Sequence, residues 1–271
     1  MWHLWREPGG KGKRRMGWWD RLFSTKRRAP EAAPPPVTLD IYMCLWNEAR
    51  LLPFFLAHYG PACRRIVALD DGSDDGTLEI LAAHPKVEIR HMPEERDSWV
   101  LASTRWWNEV WKESRDADWV GIVVTDEIVG PDLASSLARH KAAGHTVLRP
   151  RGYDMISRSP DPATVTHGVF EKIYSKPCLF RPDKITSISL DVGNHDARFE
   201  GDVVRCEPDD LVLRHYRYLG QEETWARYQA LDAKRRAGDK ARGLGIQYEM
   251  SRATFDAKFK RVLRKAKRVR P

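Results

Sequence analysis

Cysteine is scarce and never paired in sequence: four residues in a chain of 271, none in a C-x-x-C arrangement. That excludes a disulfide-stapled scaffold and a cysteine-built zinc finger, and leaves reduced thiols as the default. Long apolar runs are missing too. The longest hydrophobic segments have the length of a strand and end in charge, short of the ~20 residues a membrane-crossing helix needs, so no span is expected. The N-terminal segment also lacks the ~7–15-residue apolar core of a secretory signal, and export is not indicated. What is present is a soluble globular mixture, 42% hydrophobic and 31% charged, at a length that suits one large α/β domain with tails.

The net charge of +8 is unevenly distributed. Residues 1–36 carry +6 and residues 251–271 carry +8, so the body between them is acidic at −6. An acidic body with basic ends argues against a nucleic-acid-binding core and for ends that meet an anionic membrane surface. The first 36 residues combine Trp2, Trp5, Trp18 and Trp19 with Lys11, Lys13, Arg14 and Arg15, and run into a Pro/Ala-rich linker. They read either as an interfacial anchor or as an extension without a partner. At the other end Phe255, Phe259, Val262, Leu263 and Ala266 share one face of a basic amphipathic helix, which either docks on the body or lies on an anionic bilayer. Three segments follow: a basic tail with linker (1–36), a body (37–250) and the C-terminal helix (251–271).

Strand-like and helix-like segments alternate through the body. Strands are expected at Thr38–Trp46, Arg65–Leu69, Val87–His91 and Trp119–Val124, and helices at Glu48–His58, Thr77–Ala83, Trp99–Ser114 and Asp132–Ala143. This order predicts a parallel sheet covered on both faces, with ligands beyond the carboxyl ends of its strands. Of the Trp residues in 99–111, Trp107 and Trp111 fall on one helical face and are expected in the core. Gln221–Arg242 reads as a polar helix packing beside the site.

Three strand ends carry polar constellations: Asn47-Glu48, Asp70-Asp71-Gly72-Ser73-Asp74-Asp75-Gly76-Thr77, and Thr125-Asp126-Glu127. Four carboxylates within six residues repel one another unless neutralised, which suits a metal or the N–H and O–H groups of a nucleotide. A turn built from Asp and Gly is the alternative. An EF-hand loop is excluded, because its twelfth position would be Ala82 and a strand precedes it.

Together these motifs resemble a family 2-like glycosyltransferase of the GT-A fold, in the branch with an Asp-x-Asp-Glu-Phe strand motif and a later His-Tyr motif. Leu213-Arg214-His215-Tyr216-Arg217 is similar to the latter, and Gly193-Asn194-His195 to an earlier Gly-x-His. The resemblance covers about Leu39 to Tyr228. It implies an α/β, mostly parallel central sheet flanked by helices, with a Rossmann-like nucleotide-binding half and an acceptor half. It further implies transfer of a sugar from a nucleotide-diphosphate sugar, UDP-sugar foremost, to a glycan or glycolipid hydroxyl, assisted by Mn²⁺ or Mg²⁺. By the same carry-over Asp126 and His215 are metal ligands, and Asn47, Glu48, Asp70, Asp71, Ser73 and Asp75 form the nucleotide-sugar pocket. Cell-envelope glycan synthesis in the cytoplasm, at the inner face of the membrane, would fit.

Val124 stands where the first Asp of the strand motif belongs and Ile128 where Phe belongs, which removes a carboxylate. Glu127 is the expected compensating catalytic carboxylate, and Asp196 the expected general base, with Asp191, Asp154 and Glu200 also available. Arg181, Arg214 and Arg217 either meet the diphosphate or are solvated and salt-bridged. The missing carboxylate also keeps open an inactive GT-A scaffold that binds a membrane or another polyanion.

Overall fold

A strand–helix repeat begins at Leu39 and follows the hydrophobic pattern closely. The computed structural model describes residues 36–93 and 97–269. The Trp-rich basic tail and most of its linker lie outside those residues. The repeat comprises β1 (Leu39–Leu45), α1 (Leu52–Ala62), β2 (Arg65–Asp70), α2 (Thr77–Ala82), β3 (Val87–His91), α3 (Trp99–Val110) and β4 (Trp119–Ile122). The second half is richer in strands: β5 (Glu127–Gly130), α4 (Leu133–Ala142), β6 (Val147–Leu148), β7 (Arg151–Ser157), β8 (His167–Phe170), β9 (Leu179–Phe180), β10 (Ile185–Leu190), β11 (Ala197–Gly201), β12 (Arg205–Cys206) and β13 (Val212–Leu219). Helices α5 (Gln221–Lys234), α6 (Ala237–Ala241) and α7 (Arg252–Lys265) follow, and then the short β14 (Lys267–Arg268).

The main sheet has seven strands in the order β12-β6-β9-β4-β1-β2-β3. β1, β2, β3 and β4 run parallel, and β9 is antiparallel to both β4 and β6. Burial of β1 on both faces follows from its composition. Leu39, Ile41, Met43 and Leu45 enter one apolar cluster with Phe55 and Tyr59 of α1, while Tyr42 and Cys44 enter another with Trp107 and Trp111. Asp40, the second residue of this strand, is fully buried and held by Arg64, Arg65 and Ser114. β3 closes one edge, where Arg90 pairs with Glu88 and Glu113.

Alternation in the first half does not foretell a second sheet of five strands, ordered β14-β8-β7-β13-β5. Its central strand, β13, runs parallel to β7 and antiparallel to β5. A hairpin of β10 and β11 stands apart. The C-terminal amphipathic stripe docks on the body: Phe255 and Phe259 are fully buried with Ile156, Tyr218 and Tyr228. Since β14 also pairs with β8, residues 252–268 belong to the body's packing, and the face expected to meet either the body or a bilayer meets the body.

Candidate active site at the strand ends

Between β4 and β5 the chain reverses at Val124-Thr125-Asp126-Glu127. The Glu127 amide donates to the Val124 carbonyl (2.9 Å), and the Glu127 carboxylate accepts from the Val124 amide (3.0 Å). Val124 packs its side chain into the Trp107 cluster, an apolar contact that a carboxylate there would not make. The reciprocal bonds leave Asp126 at the turn's outer corner, its side chain partly open to solvent.

His215 lies across from it. The imidazole Nε2 is 3.2 Å from the Asp126 carboxylate and Nδ1 is 2.7 Å from Asp154. Sheet register brings the pair Asp154–His215 together, because they are direct partners in the parallel ladder of β7 and β13. Burial pulls the imidazole toward neutrality, but carboxylates on both nitrogens outweigh it, and the His215 pKa is pushed up to about 10. Asp126 answers in kind. Burial works against its charge, the His215 imidazolium outweighs burial, and its carboxyl is held down to about 2. The Tyr174 ring covers His215 at 4.2 Å between centroids.

A bulge in β13 between His215 and Tyr218 re-aims Arg217. Its guanidinium bonds the hydroxyls of Tyr228 (2.6 Å) and Tyr174. Of the three arginines considered for a diphosphate, Arg217 is therefore built into the wall behind His215, and Arg181 pairs with Asp183.

The Asp-rich end of β2 is mostly a self-satisfied turn. The Asp70 carboxylate accepts from the amides of Gly72 (2.8 Å) and Ser73 (3.1 Å). Asn47 bonds Asp74 through both ends of its amide and donates its backbone N–H to Ser73. Asp75 accepts from the Ala49 amide and from Thr77, and the Thr77 hydroxyl accepts from the Glu48 amide. Asn47, Asp70, Ser73 and Asp75 thus lock the ends of β1 and β2 to each other, whatever ligand they also meet.

Glu48 and Asp71 are covered by α5 and the residues after it, which bring cations the sequence did not announce. Arg227 pairs with Glu48 and donates to the carbonyls of Trp46 (3.0 Å) and Asn47 (3.1 Å). Arg236 pairs with Asp71, and Lys234 donates to the Asp71 carbonyl (2.9 Å) while lying 4.9 Å from the Trp46 ring centre. Burial pushes Glu48 up to about 7, with Arg227 opposing and Asp126 adding repulsion. Burial likewise raises Asp71 against the pull of Arg236 and Lys234. A cavity of about 240 Å³ opens beside this edge among Leu69, Arg90, His91, Met92, Pro93, Ala102 and Trp106. A larger one, about 640 Å³, lies at the far end of β5 around Pro131, Arg139, Arg151 and Asp210, away from these residues.

The two expected catalytic carboxylates, Glu127 as the compensating one and Asp196 as general base, are each engaged in an ion pair. Glu127 points inward to a buried ion pair with Lys176 at 2.8 Å. Asp196 is exposed at the β10–β11 turn, 3.3 Å from Arg149, with its amide bonded to Asp191. Glu127 follows Asp126 in the chain and is His215's register partner between β5 and β13, but its carboxylate is committed to Lys176, and that of Asp196 to Arg149. His195 of the same turn does approach, edge-on to Tyr174 at 5.6 Å, with its Nδ1 buried and unpartnered. Asp154, named from the sequence as a spare general base, is held against His215 instead. It is a lone carboxylate in the strand run Tyr153-Asp154-Met155-Ile156, and a buried charge requires a partner.

No protein-family model matches the sequence, and no curated protein does. Among solved structures the chain is similar to glucosyl-3-phosphoglycerate synthase from Mycobacterium tuberculosis, determined with Mn²⁺, UDP and glucosyl-3-phosphoglycerate. Identity is 17% over 43% of this chain and 43 to 44% of that one, at TM-scores of 0.33. It is also similar to mannose-1-phosphate geranyltransferase from Thermus thermophilus, 14% identical over 48% of this chain and 44% of that one, at a TM-score of 0.29. The chain spans less than half the length of these structures.

Proposed function

We propose that the chain is a glycosyltransferase acting on a nucleotide-diphosphate sugar, with Asp126 and His215 at its reacting centre. One observation carries the reading: Asp126, just past the carboxyl end of β4, meets His215 in the middle of β13 and, through it, Asp154 in the middle of β7, and lies near enough to Glu48 for the two charges to repel. A carboxylate oxygen and an imidazole nitrogen 3.2 Å apart fit a divalent ion such as Mn²⁺ as a donor pair once the ion displaces the Nε2 proton, with Asp154 orienting the imidazole through its other nitrogen. When bound there, the ion supplies Lewis-acid stabilisation of a departing diphosphate. The chain's own residues do the rest. Arg217 and Tyr174 fix the His215 ring, the knitted loops of β1 and β2 hold the pocket open, and Arg227, Lys234 and Arg236 provide cations at the edge where phosphate oxygens would lie. Trp106 and the cavity beside Asp70 suit a stacked base.

The purified protein is tested by thermal shift with UDP-, GDP- and CMP-sugars, with and without Mn²⁺, followed by release of nucleoside diphosphate from the donor that binds. A metal-dependent shift with one donor, lost in Asp126→Ala and His215→Asn, is expected. A second reading has its own support. Arg227 and Arg236 already neutralise Glu48 and Asp71, and Val124 supplies no carboxylate, as an inactive nucleotide-binding scaffold would have it. On that reading no donor is turned over, and Arg236→Ala does not restore activity.

A further inference from the structure

Far from Asp126, the C-terminal end of α4 meets the edge of the main sheet. His140 is on the last turn of α4, and the chain returns through Gly144, at φ +80°, to place His145 beside it. The Nδ1 atoms of the two rings are 2.9 Å apart. Cys206 of β12 completes the group, and one imidazole nitrogen from each histidine and the Cys206 Sγ all lie within 4.8 Å of one another. The Asp210 carboxylate accepts from His140 Nε2 at 2.9 Å and is itself fixed by Arg139 at 2.7 Å. That bond places the His140 proton on Nε2 and leaves the Nδ1 lone pair facing His145 and Cys206.

We propose that His140, His145 and Cys206 form a binding site for a divalent metal ion of the zinc class, with Asp210 orienting His140 from behind. Two imidazoles and a thiolate are the donors such an ion selects, in contrast to the oxygen-rich sets of Mg²⁺ or Mn²⁺. Bonds of ~2.0–2.3 Å put tetrahedral ligand atoms ~3.3–3.6 Å apart, so the widest separation closes by at most about 1.5 Å and the two nitrogens spread slightly. All three side chains are half-buried, which gives the ion an entry path and leaves a fourth position for water. Burial and the neighbouring Asp210, Asp209 and Glu207 keep the Cys206 thiol protonated on its own. A bound cation reverses that balance, and binding releases the thiol proton. The ion joins α4, the turn before β6 and β12. β12 is a two-residue outer strand held to the sheet through β6, so the site adds a side-chain clamp to an edge otherwise held by a short stretch of backbone pairing.

The test uses untagged full-length protein stripped with a chelator and titrated with Zn²⁺ and Co²⁺. One equivalent of Zn²⁺ is expected to remain after dialysis and to raise the melting temperature. The Co²⁺ form is expected to show a thiolate-to-metal charge-transfer band in the near ultraviolet. Cys206→Ser should remove the band and His145→Ala the retained equivalent, whereas Asp126→Asn should keep both. Absence of the band in the wild type, its survival in Cys206→Ser, or its loss in Asp126→Asn overturns the proposal.

Discussion

Asp126 and Glu127 are adjacent in sequence and opposite in circumstance. One reaches an open corner beside His215, and the other is sealed against Lys176 with both side chains almost fully buried. Removing the cation strands the anion. Lys176→Met is therefore expected to cost about 3–5 kcal/mol in denaturant unfolding, and adding Glu127→Gln should recover most of it. Asp40 behaves differently, because its partners Arg64 and Arg65 reach solvent. Burial opposes the Asp40 charge, yet the two guanidiniums and the Ser114 hydroxyl outweigh it and hold the carboxyl below the ordinary carboxylate range. A lowered carboxyl contributes stability that is intact above its ordinary value and is lost as pH falls through its folded value. The wild-type denaturation midpoint should thus fall as pH drops below about 4, and Asp40→Asn should flatten that part of the profile.

Much of the first half was legible at the level of elements, since β1 to β4 and their helices follow from strand-length apolar runs and helical spacing. Trp107 and Trp111 are in the core as their spacing requires. The second sheet was not legible. β6, β9, β12 and β14 are two residues each, too short to carry a period, and β7 joins β13 across some 60 residues of sequence. The site divides the same way. Asp126 and the strand-end loops stand out as polar residues ending apolar runs and His215 only through its resemblance to a His-Tyr motif, whereas Arg227, Lys234 and Arg236 look like the solvated face of any polar helix until α5 packs against Trp46. Gly152 is another position that only the fold explains. A Cβ there would lie 2.2 Å from the Tyr174 carbonyl carbon, so Gly152→Ala should push Tyr174 off His215 and lower activity more than stability. Phe259, fully buried among Tyr218 and Phe255, should cost about 3–5 kcal/mol when changed to Ala.

Across the whole molecule, the basic C-terminal end is divided between a docked apolar face and exposed cations. Phe255 and Phe259 cannot enter a bilayer without leaving the body, so insertion through α7 competes with folding. Binding to anionic vesicles is accordingly expected to depend on residues 1–35, and a variant lacking them should sediment with vesicles far less than the full chain. The outer strand β3 has a consequence of its own for behaviour at high concentration. A sheet edge is a template for another chain's strand, and here the ionic ladder of Glu88, Arg90 and Glu113 stands over it, with His91 exposed beside it. Replacing Glu88 and Arg90 by Val would raise strand propensity and remove that guard together. The native fold should tolerate it, while refolding from denaturant should lose protein to aggregates in proportion to concentration. The charges on β3 thus act mainly between molecules, as a barrier to neighbours in a crowded solution.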